Sequence, residues 1–347
     1  MAETMTTTAG SGVPAGSTPA PTGGRGGRRR SAVRRVRARL VHLLAVLLAV
    51  TFLSFVVVEL LPGDAAVVVA GEGATPEQVE QVRRDLQLDR PVLVRYVDWL
   101  GGVATGDLGR SFRTGQPVAE ALAQRIPVTF EITVVAQLLA LLVAVPLAVY
   151  SAYRPGGFVD RVSMTLGFGA AAMPTFVFGM VLIVLFAGGI TSILPATGYT
   201  GFFEDPVANM RSIVLPCLTL MIAEAAVYRQ LLRSDMVSTL QEDFILMARS
   251  KGLPPRRVLL RHALRPSLFS LITLSGVNIG RLLGGAVIVE TLFAIPGLGQ
   301  LIVQAVFNRD YVILQGALLF VAVVYVVINM VIDLLYLVLD PRVRRDG

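Results

Sequence analysis

Six apolar segments constrain the fold of this chain more than any other feature of its sequence. They cover residues 40–61, 128–150, 164–187, 213–232, 268–289 and 312–335. Each has close to the ~20 residues that an α-helix needs to cross a ~30 Å hydrocarbon core. Charged residues make up 16% of the sequence, whereas a soluble protein carries about 25%. We therefore predict an all-α membrane protein with six transmembrane helices.

Arginine and lysine residues are concentrated in the connections on one side of these segments. Arginines precede the first segment, and basic residues fill the connections after the second and fourth segments and the C-terminal tail. The short connections on the other side contain Arg211 and Arg309. Because basic residues favour the cytoplasmic side, we predict that both termini are cytoplasmic. The basic clusters are local, so they indicate topology and no nucleic-acid partner is expected.

Residues 1–39 are rich in Thr, Gly, Ala and Pro and then in Arg, which predicts a disordered basic cytoplasmic extension. The apolar stretch at 40–61 exceeds the 7–15 residues of a signal-peptide core, so we interpret it as the first transmembrane helix. Residues 128–340 are predicted to form a core of five transmembrane helices that includes a cytoplasmic loop at 234–266. Residues 341–347 are predicted to form a cytoplasmic tail.

The long connection at 62–127 carries its own helix signals. Thr75, Pro76 and Gln78 are typical of a helix start with a capping box. A stripe at helical spacing predicts a second helix through Leu93, Tyr96, Val97 and Leu100. A third short helix is predicted at residues 117–124. We interpret the connection as an extracytoplasmic helical cap; the alternative is a passive linker.

The cytoplasmic loop contains a short predicted helix with clear ends. Asp243 at its start and Arg249 and Lys251, the single lysine of the chain, at its end suit the helix dipole. Gly252 lies where a left-handed residue ends a helix, and prolines follow. A second helix is predicted at about 255–264. Because Ala248 and Gly252 are four residues apart, a partner's groove could approach the backbone there.

The sequence lacks the motifs that two classes of enzyme need. A phosphate-binding loop needs G-x-x-x-x-G-K-[ST], but Lys251 follows Ser250 and precedes Gly252. The two histidines, His42 and His262, are too far apart for an H-E-x-x-H zinc motif. We predict no catalytic residue and no metal site. An ion-gradient-driven secondary transporter is the alternative from another class, but no internal repeat is found.

The residues of the cytoplasmic loop resemble a known family. Residues 242–253 (EDFILMARSKGL) with 261–265 (RHALR) resemble the EAA-type coupling loop of ABC importer permeases, in the dipeptide, oligopeptide and nickel group. Further matching motifs lie at residues 61–64 (LPGD), 88–91 (LDRP), 106–111 (GDLGRS), 125–127 (RIP), 293–299 (FAIPGLG), 308–311 (NRDY) and 339–342 (LDPR). The resemblance covers nearly the whole chain beyond residue 40.

This resemblance implies the type I ABC importer fold in a bacterial plasma membrane. It implies as partners a second permease subunit, two cytoplasmic ATPases, an extracytoplasmic substrate-binding protein and membrane lipid. This chain would carry no cofactor, because ATP and Mg would bind the ATPases. The expected cargo is a di- or oligopeptide, with a nickel complex, glutathione or haem as alternatives.

The resemblance and the charge pattern together give three sets of site residues. The ATPase-coupling helix would use Asp243, Phe244, Met247, Ala248, Arg249, Lys251, Gly252 and Leu253. The translocation path would use Glu224, Asn278 and Arg281. The outer cap and gate would use Asp107, Arg110, Phe293, Pro296 and Gly297.

Two charges within the apolar segments have matching predicted depths. Glu224 and Arg281 both lie near the middle of a ~30 Å core, where an isolated charge is costly. We expect them to form an ion pair beside the translocation path. The alternative is that each lines an aqueous path by itself.

Overall fold

The described part of this computed structural model comprises residues 41, 44–56, 65–71, 73–85, 87–188 and 192–339. Its α-helices are α1 (Leu44–Val56), α2 (Ala65–Ala70), α3 (Pro76–Asp85), α4 (Val92–Thr105), α5 (Val118–Tyr153), α6 (Phe158–Ala172), α7 (Thr175–Ile183), α8 (Pro206–Thr239), α9 (Asp243–Ser250), α10 (Pro255–Arg257), α11 (Leu264–Leu292), α12 (Leu298–Phe307) and α13 (Tyr311–Leu339). The predicted N-terminal extension and C-terminal tail lie outside the described residues. The contacts below belong to the compact unit formed by residues 47–347.

Four of the described helices are long and apolar enough to cross a membrane: Val118–Tyr153, Pro206–Thr239, Pro255–Leu292 and Tyr311–Ile332. The helices Phe158–Ala172 and Thr175–Gly188 are long and apolar enough only when taken together, and the pair is bent by 105° at the break. The segment predicted at 164–187 therefore lies on two helices and not on one. Pro174 has no backbone N–H and forces the preceding residue into an extended conformation, which ends α6. The first predicted segment extends into residues outside the described ranges.

Helix α5 joins two elements that the sequence predicts separately. The short helix at 117–124 and the segment at 128–150 form one helix of 36 residues that passes through Pro127 and Pro146. Alanines at positions 136, 140, 144 and 148 are fully buried. Their spacing of four places them on one face, where small side chains allow close helix packing. This packing, mainly against α8, keeps α5 continuous despite its prolines.

Helix α4 packs against α1. The Tyr96 hydroxyl lies 2.9 Å from Oγ1 of Thr51 and donates to the Leu48 carbonyl at 3.2 Å. The rings of Phe55 and Trp99 complete this contact. Of the predicted stripe, Tyr96 is buried, while Leu93 and Val97 are exposed. The inward face of α4 is therefore the one that carries Tyr96 and Trp99. At α3, the predicted capping box is confirmed by reciprocal bonds between Thr75 and Gln78.

Candidate functional site

A layer of polar side chains lies buried between α5, α8 and α11. Asn278 donates to a carboxylate oxygen of Glu224 at 2.5 Å, and the Tyr228 hydroxyl donates to the Gln137 carbonyl oxygen at 3.0 Å. The Gln137 amide also reaches the Ser275 carbonyl at 3.5 Å. Four buried polar side chains in an apolar core are costly unless they bond to one another. We call Gln137, Glu224, Tyr228 and Asn278 the polar layer.

The predicted ion pair of Glu224 with Arg281 is not formed in the described part of the chain. Asn278 holds the Glu224 carboxylate, and Arg281 lies exposed on α11 within Coulombic range of Glu224. Arg281 follows Asn278 by three residues, which turns it about 60° around the helix. The matching depths of the two residues correctly predicted that their charges lie close together. Depth alone did not predict how Arg281 is rotated around α11 relative to Asn278.

A tight turn at residues 293–299, here called the glycine turn, joins α11 to α12. Buried Glu290 accepts hydrogen bonds from the Thr129 hydroxyl at 2.6 Å and from the backbone N–H of Gly299 at 2.7 Å. The N–H of Gln300 adds a third at 3.1 Å. The Thr129 hydroxyl in turn accepts from the Leu298 N–H at 2.7 Å. Glu290 therefore caps the start of α12 and ties it to α5.

The two glycines of this turn are sterically required. A Cβ on Gly297 would collide with the Glu290 carboxylate, and one on Gly299 would collide with the backbone of Val287. Phe293 and Gly297 are buried, and Pro296 is half-buried. Neither Glu290 nor Thr129 is among the site residues predicted from sequence. The available signal is a glutamate at the end of an apolar segment, seven residues before Gly-x-Gly.

A loop before α5 packs beside the start of α13. Asp107 accepts from the Gly109 N–H at 2.9 Å, and the Ser111 hydroxyl donates to buried Asp310. Gly109 has a φ of +84°, and a Cβ there would lie 2.9 Å from a Val312 methyl. The motifs GDLGRS and NRDY, distant in sequence, therefore form one contact. Arg110 lies exposed at its edge and donates to the Gly115 carbonyl at 3.4 Å.

The connection before α8 covers the glycine turn. The N–H of Gly198 donates to the Phe293 carbonyl at 3.1 Å. The neighbouring Tyr199 hydroxyl donates to the Glu131 carboxylate on α5. Burial, followed by this carboxylate, raises the pKa of Tyr199 above its ordinary value. Tyr199 therefore stays protonated and keeps its hydrogen bond at physiological pH.

Helix α9 begins at Asp243, as predicted, and ends in a Schellman motif. Gly252 has a φ of +72°, its N–H donates to the Arg249 carbonyl at 2.9 Å, and the Leu253 N–H donates to the Ala248 carbonyl at 3.4 Å. Lys251 occupies the preceding C-cap position and is exposed. The sequence signals for both ends of this helix are confirmed.

The two faces of α9 differ sharply. Ile245 is fully buried and Ala248 is 7% exposed, both packed with Val258 and Leu253 of the same chain. Phe244 and Met247 are 47% and 60% exposed. Of the two residues at which a partner was expected to approach the backbone, Ala248 is covered by the chain itself, whereas Gly252 is exposed. The surface open to a partner carries Phe244 and Met247.

The second predicted helix of this loop is not a separate element. Residues Pro255–Leu292 form one helix, with a π-helical segment at Val258–Ala263. Pro266 lacks the N–H that would bond to the carbonyl of His262, and a locally widened turn accommodates such a loss. The buried face of α9 therefore rests on the base of the same helix that carries Asn278 and Arg281.

A buried ionic cluster joins the first turn of α6 to α8. Asp160 accepts from Arg229 at 2.6 Å and from two nitrogens of Arg233 at 2.6 Å each. The Gly156 N–H donates to the same carboxylate at 2.9 Å, and Arg229 also reaches the Ser151 hydroxyl at 3.2 Å. Asp160 is not among the site residues predicted from sequence. Two arginines four residues apart on one helix face were the available signal.

Among the described residues, no group of three or more His, Cys, Asp or Glu side chains is arranged to hold a metal ion. The polar layer, the glycine turn and α9 lie along one set of packed helices, α5, α8, α11 and α12.

Comparison with known proteins identifies the class. Residues 144–345 match the family model of the binding-protein-dependent transport system inner membrane component, and residues 30–133 match the model of its N-terminal region. The chain belongs to this family of multi-pass membrane permeases of ABC transporters, and the family resemblance predicted from sequence is confirmed. It is a family of transport permeases, not of enzymes.

Two relatives illustrate the similarity. A Brucella abortus protein, provisionally named a peptide transport system permease, is 38% identical over 308 residues, covering 89% of this chain and 98% of the relative. The dipeptide transport system permease protein DppB of Escherichia coli K12 is 35% identical over 332 residues, covering 88% of this chain and 97% of the relative. The likeness therefore extends over nearly the full length of both proteins.

Proposed function

We propose that this chain is a permease subunit of an ATP-driven importer of di- or oligopeptides. The observation that carries the proposal is the exposed apolar face of α9, with Phe244 and Met247, in a chain of the binding-protein-dependent family. Both named relatives support peptides as cargo. An ion-gradient-driven transporter receives no support from the family.

The proposal includes the partners of such an importer. A second permease subunit completes the path, two cytoplasmic ATPases bind ATP and Mg, and an extracytoplasmic binding protein delivers the cargo. The chain lies in lipid in a bacterial plasma membrane with both termini in the cytoplasm, as the arginine pattern favours. ATP hydrolysis occurs in the partner subunits.

Helix α9 is the proposed coupling element. Phe244 and Met247 enter a groove of one ATPase, while Asp243, Arg249 and Lys251 provide charged edges. Ile245 and Ala248 fasten the opposite face to Val258, at the base of the helix that ends at Leu292. Because this helix is continuous, a displacement of α9 by the ATPase moves the helix that carries the polar layer and leads to the glycine turn.

In the proposal, the translocation path runs beside the middle of this helix, and the gate lies at the end of the helix that is far from α9. Glu224, Asn278 and Arg281 lie along the path. Phe293, Pro296 and Gly297 belong to a gate whose shape the glycine turn fixes. Asp107 and Arg110 belong to the cap that receives the binding protein. The close contact of the Asp107 loop with the start of α13 supports a link between cap and gate.

The test is uptake by the complete complex in proteoliposomes. The complex should take up labelled di- and tripeptides when ATP is inside and loaded binding protein is outside. Nickel complexes, glutathione and haem are assayed in parallel, and preferential uptake of one of these would reassign the cargo. Uptake of peptide without the ATPases would contradict the importer mechanism.

A pair of variants tests the docking assignment. Met247→Glu places a charge on the exposed face of α9 and should abolish co-purification of the ATPase. Phe203→Glu makes the same kind of change at a fully exposed residue in the connection before α8 and should leave ATPase binding intact. Retained ATPase binding in Met247→Glu would reject the docking face.

A further inference from the structure

Arg281 lies on an open stripe of α11. Val277, Arg281, Gly284 and Ile288 are all exposed, and their spacing places them along one side of the helix. Arg281 precedes the end of α11 at Leu292 by eleven residues, roughly 16 Å at 1.5 Å per residue. This depth is near the middle of the membrane, where a charge persists only beside water or an opposite charge.

An open groove touches α11 at Leu274. The groove encloses about 450 Å³ between α6, α8 and α11, and Gly167, Ala226, Gln230 and Leu274 line it. Leu274 precedes Arg281 by seven residues, two helical turns along the same side of α11. The walls of the groove are mainly apolar, and the side of α11 that it touches continues to the guanidinium group of Arg281.

Glu224 does not neutralise Arg281 by contact. The Glu224 carboxylate is buried and bound by Asn278, and in the described part of the chain no ion pair joins it to Arg281. In the described part of the chain the five N–H donors of the Arg281 guanidinium have no hydrogen-bond partner, so they are available to another group.

We propose that Arg281 binds the C-terminal carboxylate of the peptide cargo as it passes the polar layer. This inference rests on the proposed peptide importer. A guanidinium group matches a carboxylate with two parallel hydrogen bonds, which a low-dielectric site strengthens. Every linear peptide carries this carboxylate whatever its side chains. Arg281 therefore selects the free peptide terminus and imposes no side-chain sequence.

The test restores charge chemically at position 281. Arg281→Cys is made in a Cys217→Ser background, so that the new thiol is the single one in the chain. The complete complex is reconstituted with its partners and treated with cationic, neutral or anionic methanethiosulfonate reagents. Loss of a charge-assisted carboxylate contact should lower peptide uptake at least about tenfold. The cationic reagent should restore uptake, whereas the neutral and anionic reagents should not.

A control and a second cargo complete the experiment. Ile288→Cys, exposed on the same stripe, should respond equally to all three reagents. A peptide and its C-terminal amide are compared at concentrations that saturate the binding protein. Arg281→Cys should slow uptake of the free acid and leave uptake of the amide within about twofold of the rate of the parent.

Each outcome has a distinct meaning. Equal loss for acid and amide would overturn the inference and assign Arg281 to an acidic group of the second permease. Failure of the reagents to reach position 281, or parental uptake by Arg281→Cys, would also overturn it. Absence of peptide uptake by the Cys217→Ser parent would instead defeat the proposed function.

Discussion

The glycine turn and helix α9 stand at opposite ends of the helix that runs from Pro255 to Leu292, and they are completed in opposite ways. At the glycine turn, one buried carboxylate, that of Glu290, satisfies three donors of its own chain. At α9, half of the helix surface is covered and the other half, with Phe244 and Met247, is exposed. The polar groups at one end of the helix are therefore satisfied within the chain, whereas the other end keeps an exposed apolar face that is available to a partner.

The largest effect on stability is expected at the glycine turn. Glu290→Ala strands the Thr129 hydroxyl and the N–H groups of Gly299 and Gln300, and each buried unpaired group costs about 1–3 kcal/mol. We expect a loss of at least about 3 kcal/mol in the free energy of unfolding. Pulse labelling of the single, buried thiol of Cys217 in a denaturant series measures it. Glu120→Ala, at an exposed position on α5, should cost under about 0.5 kcal/mol.

The second effect compares a buried residue of α9 with an exposed one. Ile245→Ala removes a fully buried side chain and should cost about 2–5 kcal/mol. Met247→Ala, on the exposed face, should change stability by less than about 0.5 kcal/mol while weakening ATPase binding. The same thiol assay and co-purification of the ATPase report these quantities. Equal stability losses would show that the two faces are not distinct.

The third effect concerns Ala248, the small residue on the buried face of α9. Ala248→Trp overfills the contact with Ile245 and Val258 and should destabilise the isolated chain by about 1–3 kcal/mol. The loss should be measurable without any partner, because the chain itself covers Ala248. A variant that is as stable as the parent but fails to bind the ATPase would restore the partner-facing interpretation.

The smallest effect tests the end of α9. Gly252→Ala introduces a side chain at a φ of +72° with open space around it, so the cost is purely conformational, about 1 kcal/mol. Gly101→Ala is the matched control, because Gly101 lies within α4 and also faces open space. It should stabilise by roughly 0.5–1 kcal/mol. Changes of the same sign would contradict the left-handed role of Gly252.

Local signals predicted α9 well, because its start and end depend on residues within a few positions of each other. Asp243 and Gly252 act on the backbone of that helix alone. The clamp between Thr129 and Glu290 joins residues 161 positions apart, so the local pattern around either residue does not identify its partner. The same holds for Asp160 with Arg229.

The prolines were the least informative signals. Pro174 ends a helix and bends the pair by 105°, whereas Pro127 and Pro146 lie inside α5. The difference comes from packing, because the buried alanines of α5 hold it against α8 on both sides of Pro146. A proline weakens a helix by a fixed local cost, and tertiary contacts decide whether the helix continues.

The continuity of α5 gives it the properties of a lever. Its 36 residues form a rod about 54 Å long, which exceeds the ~30 Å hydrocarbon core. Thr129 is fastened to Glu290 near one end and Ser151 to Arg229 near the other, about 33 Å apart along the axis. A tilt of about 10° around the midpoint would carry these two anchors about 3 Å in opposite directions. A small tilt of α5 imposed at one membrane face therefore moves the anchor at the other face in the opposite direction. That movement is about the size of an atom.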